Sequence, residues 1–547
     1  MSTSSYRDIL NSIRLAFPQP ISDLIHDAYL VQTVARALDK VDALKTELPL
    51  LGVRQPLDYS VAQQARLADK PLSLESVTEE LVSYLEGMII WGHPRTQQNV
   101  VPPPTIAALI GMMIAELYNP NLAWDEYSHK IAFAEAEVVA MIAALIGYEP
   151  QQAAGMFTFG GTGTTLYGIK VGLEKALPNS LIDGVRQDAV IFASDRSHYC
   201  RDNIAGWLGL GTKNLIIIPT NYRNEIDIEL LRDKAHAVLA AGLPIAGFIC
   251  TMGTTDAFGL DNLLEVVQLR DELVAELSLT YHPHVHADAV IGWAWSVFND
   301  YSFEDNPLGF GPSTRHALAL VRKRIRSLHL ADSVGVDFHK TGFTPYISSL
   351  VLFKTRDDLQ LLTRSPEQMP YLYHYGQYYP GQYTLETSRS GAGVLAALAN
   401  LKLFGIQGLQ VLLGHLVEMT QLLREYLAGN AFTTVLNDHN YGTVTLFRAY
   451  PDGVETPDIK EQELSNPAFR NTLLRHNDYN RRIEEYVHQE AMAGRGVVIS
   501  RTDCYRHTSY GEPMVALKSY IMSPFVDQTS VQLVVDKVLE ARKKIVD

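Results

Sequence analysis

The chain has 547 residues, of which 47% are hydrophobic and 20% are charged, and its formal net charge is −15. This composition is typical of a globular protein with an ample core, and the negative charge disfavours nucleic acid or an anionic membrane as a partner. The three cysteines, Cys200, Cys250 and Cys504, are too few and too dispersed for a disulfide framework or a zinc site. They indicate a reducing compartment.

The N-terminal residues lack a basic stretch followed by an apolar one, so we expect no secretory signal. No apolar run reaches about 18 residues without a charge, so we expect no membrane span and a cytoplasmic enzyme. Residues 1–100 are predicted to be helical, and three consecutive prolines, Pro102 to Pro104, end this part because they cannot continue a helix. Residues 106–117 are predicted to form a buried helix.

Short apolar runs then alternate with amphipathic stretches, which predicts a mostly parallel sheet with helices on both faces. After Gly393 a long helical run leads to a smaller α+β domain. We therefore predict an α/β fold with segments 1–100 (helical), 101–400 (large domain) and 401–547 (small domain). The predicted strands of the large domain are 189–193, 215–218, 245–251, 285–289, 333–337 and 350–353, and the predicted helices include 165–177, 228–241 and 260–277.

Lys340 lies between two β-like runs, directly after His339. A lysine amine at a strand end can form a Schiff base with an aldehyde, most commonly with pyridoxal 5'-phosphate (PLP). Taken alone, Lys340 would be interpreted as an exposed loop residue, because most lysines are exposed. The other polar residues at strand ends favour the catalytic interpretation.

The segment Gly160-Gly161-Thr162-Gly163-Thr164 opens a predicted helix. Glycines let the backbone approach an anion, and free N–H groups at a helix start bind phosphate. The alternative is an ordinary glycine-rich turn with a threonine cap. The segment does not match a Walker A pattern.

Asp288 lies within an apolar strand, where an aspartate is costly unless it is paired. A protonated pyridine nitrogen would be such a partner, and a helix cap or a buried salt bridge is the alternative. His284, His286 and Asp288 would share one face of the strand, so a metal site is conceivable, although Pro283 and the lack of further ligands argue against it. His198 follows another strand and could stack on a cofactor ring or assist proton transfer.

Residues 370–383 hold the densest cluster of aromatic side chains, punctuated by glycine and proline. The segment could be a mobile lid that carries a tyrosine acid, or an aromatic loop at a subunit interface. Its tyrosines are Tyr371, Tyr373, Tyr375, Tyr378, Tyr379 and Tyr383.

Taken together and in this order, the motifs resemble those of the group II PLP-dependent amino-acid decarboxylases. His286-Ala287-Asp288-Ala289 resembles the family motif whose aspartate pairs with the pyridine nitrogen, and Asp337-Phe338-His339-Lys340 resembles that of the Schiff-base lysine. Ser197-His198 resembles the stacking histidine, and Thr251-Met252-Gly253-Thr254-Thr255 is similar to a strand end of the family. Residues 339–346 are most similar to the bacterial tyrosine decarboxylases.

The resemblance implies a PLP-dependent transferase fold of type I, PLP as cofactor, an amino acid as substrate, and a homodimer with sites at the subunit interface. It implies decarboxylation to an amine and CO2, with a tyrosine-like substrate as the best prediction. The implied catalytic residues are Lys340, His198, Asp288, Tyr373 and Tyr375. The implied cofactor-binding residues are Gly161, Thr162, Gly163, Thr164, His198, Thr251, Asp288, His339 and Lys340, and no metal is expected.

The chain departs from the family pattern at Phe338, which should be tolerated, and at Ser128-His129-Lys130, which bears on the substrate. Phe338 replaces a common proline, and Ser128-His129-Lys130 stands where relatives often have a small residue followed by proline. An acidic substrate of the glutamate or aspartate type stays open, with Lys130 as a possible partner for its carboxylate. The sequence is also compatible with a carbon–carbon lyase, a decarboxylating oxidative deaminase or a non-catalytic descendant of the family.

Overall fold

The structure is a computed structural model and describes residues 5–370 and 372–545. The N-terminal segment contains four helices, and none of their residues is buried. These helices therefore contribute almost nothing to the core of a single chain. Its helices are α1 (Tyr6–Arg14), α2 (Leu24–Asp42), α3 (Tyr59–Ala62) and α4 (Leu74–Ser83).

The large domain is built on a seven-stranded sheet in the order β1-β7-β6-β5-β4-β2-β3. The strands are β1 (Ala154–Thr158), β2 (Val190–Ser194), β3 (Leu215–Ile218), β4 (Ile245–Thr251), β5 (His284–Asp288), β6 (Ser333–Asp337) and β7 (Ser349–Phe353). Strands β2 to β6 pair in parallel, and β7 runs antiparallel to both of its neighbours, β6 and β1. The predicted fold class, an α/β fold with a mostly parallel sheet, is confirmed.

Helices cover both faces of this sheet, and strand β2 illustrates why. Val190 and Phe192 pack into one apolar core, whereas Ile191 and Ala193 pack into another on the opposite face. A strand that is buried on both sides reads as a continuous apolar run. The helices of the large domain are α5 (Ile106–Tyr118), α6 (Asp125–Ser128), α7 (Lys130–Ile146), α8 (Gly161–Ala176), α9 (Ser180–Asp183), α10 (Cys200–Trp207), α11 (Ile228–Ala240), α12 (Leu263–Leu277), α13 (Pro312–Ile325), α14 (Phe338–Thr341) and α15 (Asp357–Gln360).

A long helix, α16 (Ala392–Ala428), joins the two domains and is kinked at Gly405. By length and composition alone it could cross a membrane. However, Leu413 and Val417 pack in the core of the large domain, and Leu423 and Leu427 pack in that of the small one. Packing in two cores accounts for its apolar character. Helix α16 runs across residue 400, where the sequence places the boundary between the two domains. That domain boundary stays a prediction.

The small domain has a four-stranded antiparallel sheet, in the order β10-β11-β9-β8, covered by helices. This is the α+β arrangement that the sequence predicts. Its elements are β8 (Thr433–Val435), β9 (Val444–Ala449), α17 (Ile459–Ser465), α18 (Arg470–Met492), β10 (Ser500–Thr502), β11 (Ala516–Tyr520) and α19 (Gln528–Lys544).

The end of the N-terminal segment is built into this small domain. The backbone N–H of Gln97 donates to the Val498 carbonyl at 2.8 Å, and the Gln97 carbonyl accepts from Tyr520 at 2.8 Å. The Ser519 hydroxyl also donates to the Gln97 side chain at 2.7 Å. Gln97 is fully buried, so these contacts tie together parts of the chain that are far apart in sequence.

Helix α5 differs from its prediction as a buried helix. Only Ala108 and Ala115 are buried, and Gly111 lets this face approach the backbone of α16 at Leu395. The opposite face is apolar and exposed, with residues at the spacing of a single helical stripe. This stripe consists of Ile106, Leu109, Ile110, Met113, Ile114 and Leu117.

Candidate active site

Apart from Tyr373 and Tyr375, the predicted site residues come together at one edge of the central sheet. Strands β1, β2, β4, β5 and β6 run in the same direction, so their C-terminal ends share an edge, where ligands of α/β sheets bind. In the register of the sheet, Thr251 lies beside Asp288, and Asp288 beside Gly335. Lys340 follows the end of β6, His198 follows β2, and the glycine-rich turn follows β1.

Lys340 is held in an ion pair at this edge. Its Nζ lies 2.8 Å from Asp337 Oδ2, and the Lys340 side chain is only 17% exposed. Burial alone would lower the pKa of Lys340, but the charges of Asp337 and Asp288 outweigh it, so the pKa lies above the ordinary lysine value. Lys340 is therefore a buried ammonium in this arrangement.

Asp337 is a site residue that the sequence indicates only as part of a motif. It ends β6 and is fully buried, and its Oδ1 accepts a hydrogen bond from Ser349 Oγ at 2.6 Å. Nε2 of His339 lies 3.5 Å from Asp337 Oδ2. The sequence signal for Asp337 was a carboxylate at a strand end, three residues before Lys340. Side chains three residues apart lie on the same face of a helical turn and can form an ion pair.

Asp288 is buried, and its Oδ1 has no hydrogen-bond partner among the described residues. Burial raises the pKa of Asp288 to about 6, while the positive charge of Lys340 opposes this shift. A buried carboxylate oxygen without a partner is costly. It is therefore available for a protonated nitrogen of a ligand.

His198 is half-buried, and its Nδ1 accepts a hydrogen bond from the backbone N–H of Cys200 at 3.2 Å. The neutral ring thus carries its proton on Nε2. Burial lowers the pKa of His198, and the positive charge of Lys340 lowers it further. Burial also raises the pKa of the Cys200 thiol to about 12, so this cysteine is a poor nucleophile.

Thr251 supports the loop that carries His198. Its hydroxyl donates to Ser197 Oγ at 3.0 Å, and Ser197 Oγ accepts the backbone N–H of Ser194 at 3.1 Å. The Thr251 backbone N–H donates to the buried carboxylate of Asp261 at 2.7 Å. The hydroxyl and the backbone N–H of Thr251 are thus engaged within the protein.

The glycine-rich turn starts helix α8 without a side-chain cap. Gly160 has a φ of 118°, which favours glycine, and a Cβ on Gly161 would lie 2.9 Å from Asp337 Oδ2. Thr162 is exposed at the helix start and hydrogen-bonds to the Cys200 thiol. Thr164 is buried, and its hydroxyl donates to the Gly161 carbonyl at 2.8 Å, so it stabilises the turn itself.

Gly163 has a packing role in the same turn. A Cβ on Gly163 would lie 2.5 Å from Thr158 Oγ1, at the end of β1. The uncapped N–H groups at the start of α8 and the nearby glycines form a site of the kind that binds phosphate.

Comparisons with known proteins agree with this geometry. The family model described as the pyridoxal-dependent decarboxylase conserved domain matches residues 56–449. The chain belongs to the pyridoxal-dependent decarboxylase family. The predicted family, the PLP cofactor and the carboxy-lyase reaction class are thereby confirmed.

The curated relatives differ in the substrate that they are named for. The chain is 22% identical over 397 residues to an L-2,4-diaminobutyrate decarboxylase of Acinetobacter baumannii, covering 69% of this chain and 72% of that one. It is 26% identical over 318 residues to an aspartate 1-decarboxylase of Aliivibrio fischeri (54% and 52% covered). It is also 26% identical over 251 residues to an L-tyrosine decarboxylase of Enterococcus faecium (43% and 40% covered).

Solved structures are similar over almost the whole chain. Mouse CSAD in its apo form has a TM-score of 0.77 at 18% identity, covering 96% of this chain and 100% of that one. Oryza sativa TDC with PLP and tryptamine has a TM-score of 0.75 at 18% identity, covering 97% and 100%. At this level of identity the likeness establishes the fold.

The decarboxylase site fits PLP by its own chemistry. The Lys340 amine can bind the aldehyde, the start of α8 can bind the phosphate, and Asp288 Oδ1 lacks the partner that a ring nitrogen would supply. Phe338, the departure from the family's proline, is buried between Phe157 and Trp293, with ring centroids 5.7 and 5.0 Å away. It anchors the lysine segment in the core.

The two histidines before Asp288 are structural. His284 and His286 are fully buried, and one ring nitrogen of each lies 2.8 Å from Ser333 Oγ. Burial lowers the pKa of both, to about 3 for His286. In the described part of the chain no three His, Cys, Asp or Glu side chains form a metal-binding group.

The aromatic segment packs against residues 121–135 of the same chain. Tyr373 contacts Trp124 edge-to-face at 5.4 Å, and Tyr378 donates to Glu135 Oε2 at 3.1 Å. Tyr375 is 71% exposed, and Tyr371 lies outside the described residues. The assignment of Tyr373 and Tyr375 as catalytic stays a prediction.

Tyr346 was not singled out from the sequence. Its ring lies 4.2 Å from that of His339, and its side chain is half exposed. Burial raises the pKa of Tyr346, and the nearby positive charge of Lys340 opposes that shift. Tyr346 lies in the loop between α14 and β7, so no helical or strand periodicity marks it in the sequence.

Proposed function

We propose that this decarboxylase acts on an aromatic L-amino acid and releases the corresponding amine and CO2. The observation that carries the substrate class is a set of exposed aromatic side chains. They lie beside His339, His198 and the glycine-rich turn, which are the predicted cofactor-binding residues around Lys340. The Tyr346 ring is tilted against that of His339, Tyr199 lies 4.1 Å from His198 between ring centroids, and Phe159 precedes the glycine-rich turn. Aromatic rings favour an aromatic ligand through stacked and edge-to-face contacts.

Three residues of the chain would prepare the bond that breaks. When bound, PLP supplies the electron sink for the electron pair that CO2 leaves behind. Lys340 would hold the cofactor through its amine. Asp288 would keep a proton on the ring nitrogen by an ionic hydrogen bond, and neutral His198 would pack against the ring and orient the substrate.

The last step returns a proton to the α-carbon of the substrate. We propose Tyr373 and Tyr375 for this step. Their segment packs on residues 121–135 of its own chain, and in the proposed homodimer they would act in the site of the neighbouring subunit. The exposure of Tyr375 supports such a role. Phenylalanine at each position should keep the cofactor bound and slow amine release.

A substrate panel tests the proposed function. Purified protein with PLP is offered aromatic, acidic and basic L-amino acids, and CO2, amine, aldehyde and peroxide are measured. We expect CO2 and amine in equal amounts, fastest with an aromatic substrate, and no turnover by Lys340→Ala. Full turnover by Lys340→Ala would overturn the mechanism, and aldehyde with peroxide would indicate oxidative deamination.

A short diamino acid is the second candidate substrate. Asp195 lines a cavity beside His198, and its buried Oδ1 has no hydrogen-bond partner among the described residues. Its Oδ2 lies 3.4 Å from Arg196, which leaves Oδ1 for a cationic side chain. One relative is named for a diamino acid, 2,4-diaminobutyrate. Asp195→Asn should lower turnover of a diamino acid selectively if this candidate is correct. Lys130, the possible partner of an acidic substrate, is exposed at the start of α7.

We also propose that the active form is a homodimer. The exposed apolar stripe of α5 and the unburied helices α1 to α4 support this, because a second copy would cover surface that a single soluble chain rarely exposes. The cytoplasm is the proposed location, supported by the free thiols of Cys200, Cys250 and Cys504. Cell fractionation followed by immunoblotting tests this location.

A further inference from the structure

We propose that Asp337 is a positioning residue that keeps the Lys340 amine protonated until the cofactor aldehyde arrives, and so makes cofactor capture depend on pH. The proposal rests on the confirmed PLP cofactor and concerns how this chain takes it up. It is carried by the contacts of Asp337 at the end of β6.

The Asp337 carboxylate is fixed in place by its surroundings. It is fully buried, Ser349 on the adjacent strand β7 donates to its Oδ1 at 2.6 Å, and Lys340 Nζ lies 2.8 Å from its Oδ2. Asp337 and Ser349 are also paired in the register of the sheet. The two oxygens of the carboxylate thus contact different residues, and the buried ammonium has a partner in direct contact.

Charged and titratable groups face Lys340 from each surrounding element. The groups are Asp337 from β6, Asp288 from β5, His198 from the loop after β2, Cys200 from α10, His339 from α14 and Tyr346 from the segment before β7. Burial lowers the pKa of Lys340, but the two carboxylates raise it by more. Asp337 is the partner in direct contact, and His198 with a lowered pKa adds no competing positive charge at neutral pH.

Only the neutral amine can attack an aldehyde. In the condensation, Nζ forms a bond to the aldehyde carbon, the carbonyl C=O bond is replaced by C=N, and one water leaves. The proton that the ammonium must first lose goes to solvent. A partner that stabilises the ammonium thus reduces the fraction of reactive amine at neutral pH.

Asp337 also lies next to the expected phosphate position. A Cβ on Gly161 would be 2.9 Å from Asp337 Oδ2, so the carboxylate adjoins the first residue of the turn. A negative charge there opposes a bound phosphate, whereas a carboxamide could donate a hydrogen bond to it. These two effects of Asp337 can be separated, because pyridoxal has the aldehyde but lacks the phosphate.

The test compares capture by the full-length protein after its cofactor has been removed. Wild type, Asp337→Asn and Ser349→Ala are exposed to pyridoxal or PLP from pH 6 to pH 10, reduced with borohydride, and the modification of Lys340 is quantified by peptide mass spectrometry. Asp337→Asn should move the pH midpoint of capture down by about 1 unit or more with both aldehydes. It should gain additional affinity with PLP only.

Ser349→Ala is the matched control, because it removes a hydrogen bond from the same carboxylate and keeps its charge. Its midpoint should stay close to that of wild type. An Asp337→Asn profile that overlays wild type with both aldehydes, or an equal shift in Ser349→Ala, would overturn the proposal. A change confined to PLP would assign Asp337 to phosphate repulsion instead, and would also overturn it.

A second measurement needs no variant and no cofactor. Wild-type protein is acylated with trace acetic anhydride at a series of pH values, and Lys340 is compared with exposed lysines. We expect Lys340 to titrate above the ordinary lysine pKa of 10.5. Titration of Lys340 at or below that value would contradict the proposal even if Asp337→Asn fails to fold.

Discussion

At the scale of single residues, the site is a group of polar side chains that are costly to bury and that lie together at one sheet edge. Lys340 and Asp288 could be found in the sequence because each interrupts an apolar run. Asp337 and Tyr346 were not singled out, because their significance depends on contacts with Lys340 and His339. Pattern reasoning finds a residue that is unusual for its own segment, but it misses one that becomes important only through packing.

Replacing Asp288 should abolish decarboxylation but raise the free energy of unfolding. Its pKa rises from 3.8 to about 6 on folding, so the fold favours the protonated form. The resulting stabilisation is fully present below pH 4 and is lost as the pH rises through 6. Before the cofactor binds, Asp288→Asn should therefore raise the free energy of unfolding by about 1–3 kcal/mol at pH 7.5.

Denaturant titrations of wild type and Asp288→Asn at pH 5 and pH 7.5 measure this effect. The difference should shrink at pH 5, and the variant should lose decarboxylation at both pH values. A variant that is less stable than wild type at pH 7.5 would show that Asp288 has a stabilising partner in the protein itself.

At the scale of elements, the sequence predicted the strands and helices whose residue pattern is evident within their own segment. The bounds of β3, β4 and β6 agree with the prediction, because β3 and β4 are apolar runs and β6 alternates valine with small or polar residues. Strand β1 was missed, since Ala154, Gly155 and Met156 carry no such signal. Helix α5 was placed correctly, but its burial was not, because only its Ala108 and Ala115 face packs against the rest of the chain.

The approach of α8 to the sheet can be tested at Gly172. A Cβ there would overlap the Ala246 carbonyl of β4 and lie 2.8 Å from the His284 Cβ. Because backbone would have to move, Gly172→Ala should destabilise the fold by about 1–3 kcal/mol, measured by thermal or denaturant unfolding. The control is Gly206→Ala in α10, which has open space around it and should be neutral or slightly stabilising. Equal effects at both positions would argue against close α8–sheet packing.

At the scale of the whole molecule, the exposed stripe of α5 is the main unexplained surface of a single chain. If the proposed dimer buries it, Ile110→Glu with Ile114→Glu should give a monomer with little decarboxylase activity, as measured by light scattering and CO2 release. Leu264→Glu on α12 is the control, because Leu264 is 46% exposed and Ile110 is 47% exposed. A dimeric, active Ile110→Glu/Ile114→Glu variant would exclude this face as the interface.

The contacts of Gln97 have a consequence for how the protein is made. The Gln97 side chain and its Ser519 partner are 422 positions apart in the chain, and the neighbouring contact from Ser500 to Gln98 spans 402. Contacts of such long range form late in folding. During synthesis on the ribosome, the stretch around residue 97 therefore emerges about 400 residues before these partners. It stays without them until residues 498–520 have been made, and a chain that stops short of residue 520 leaves this stretch unpaired.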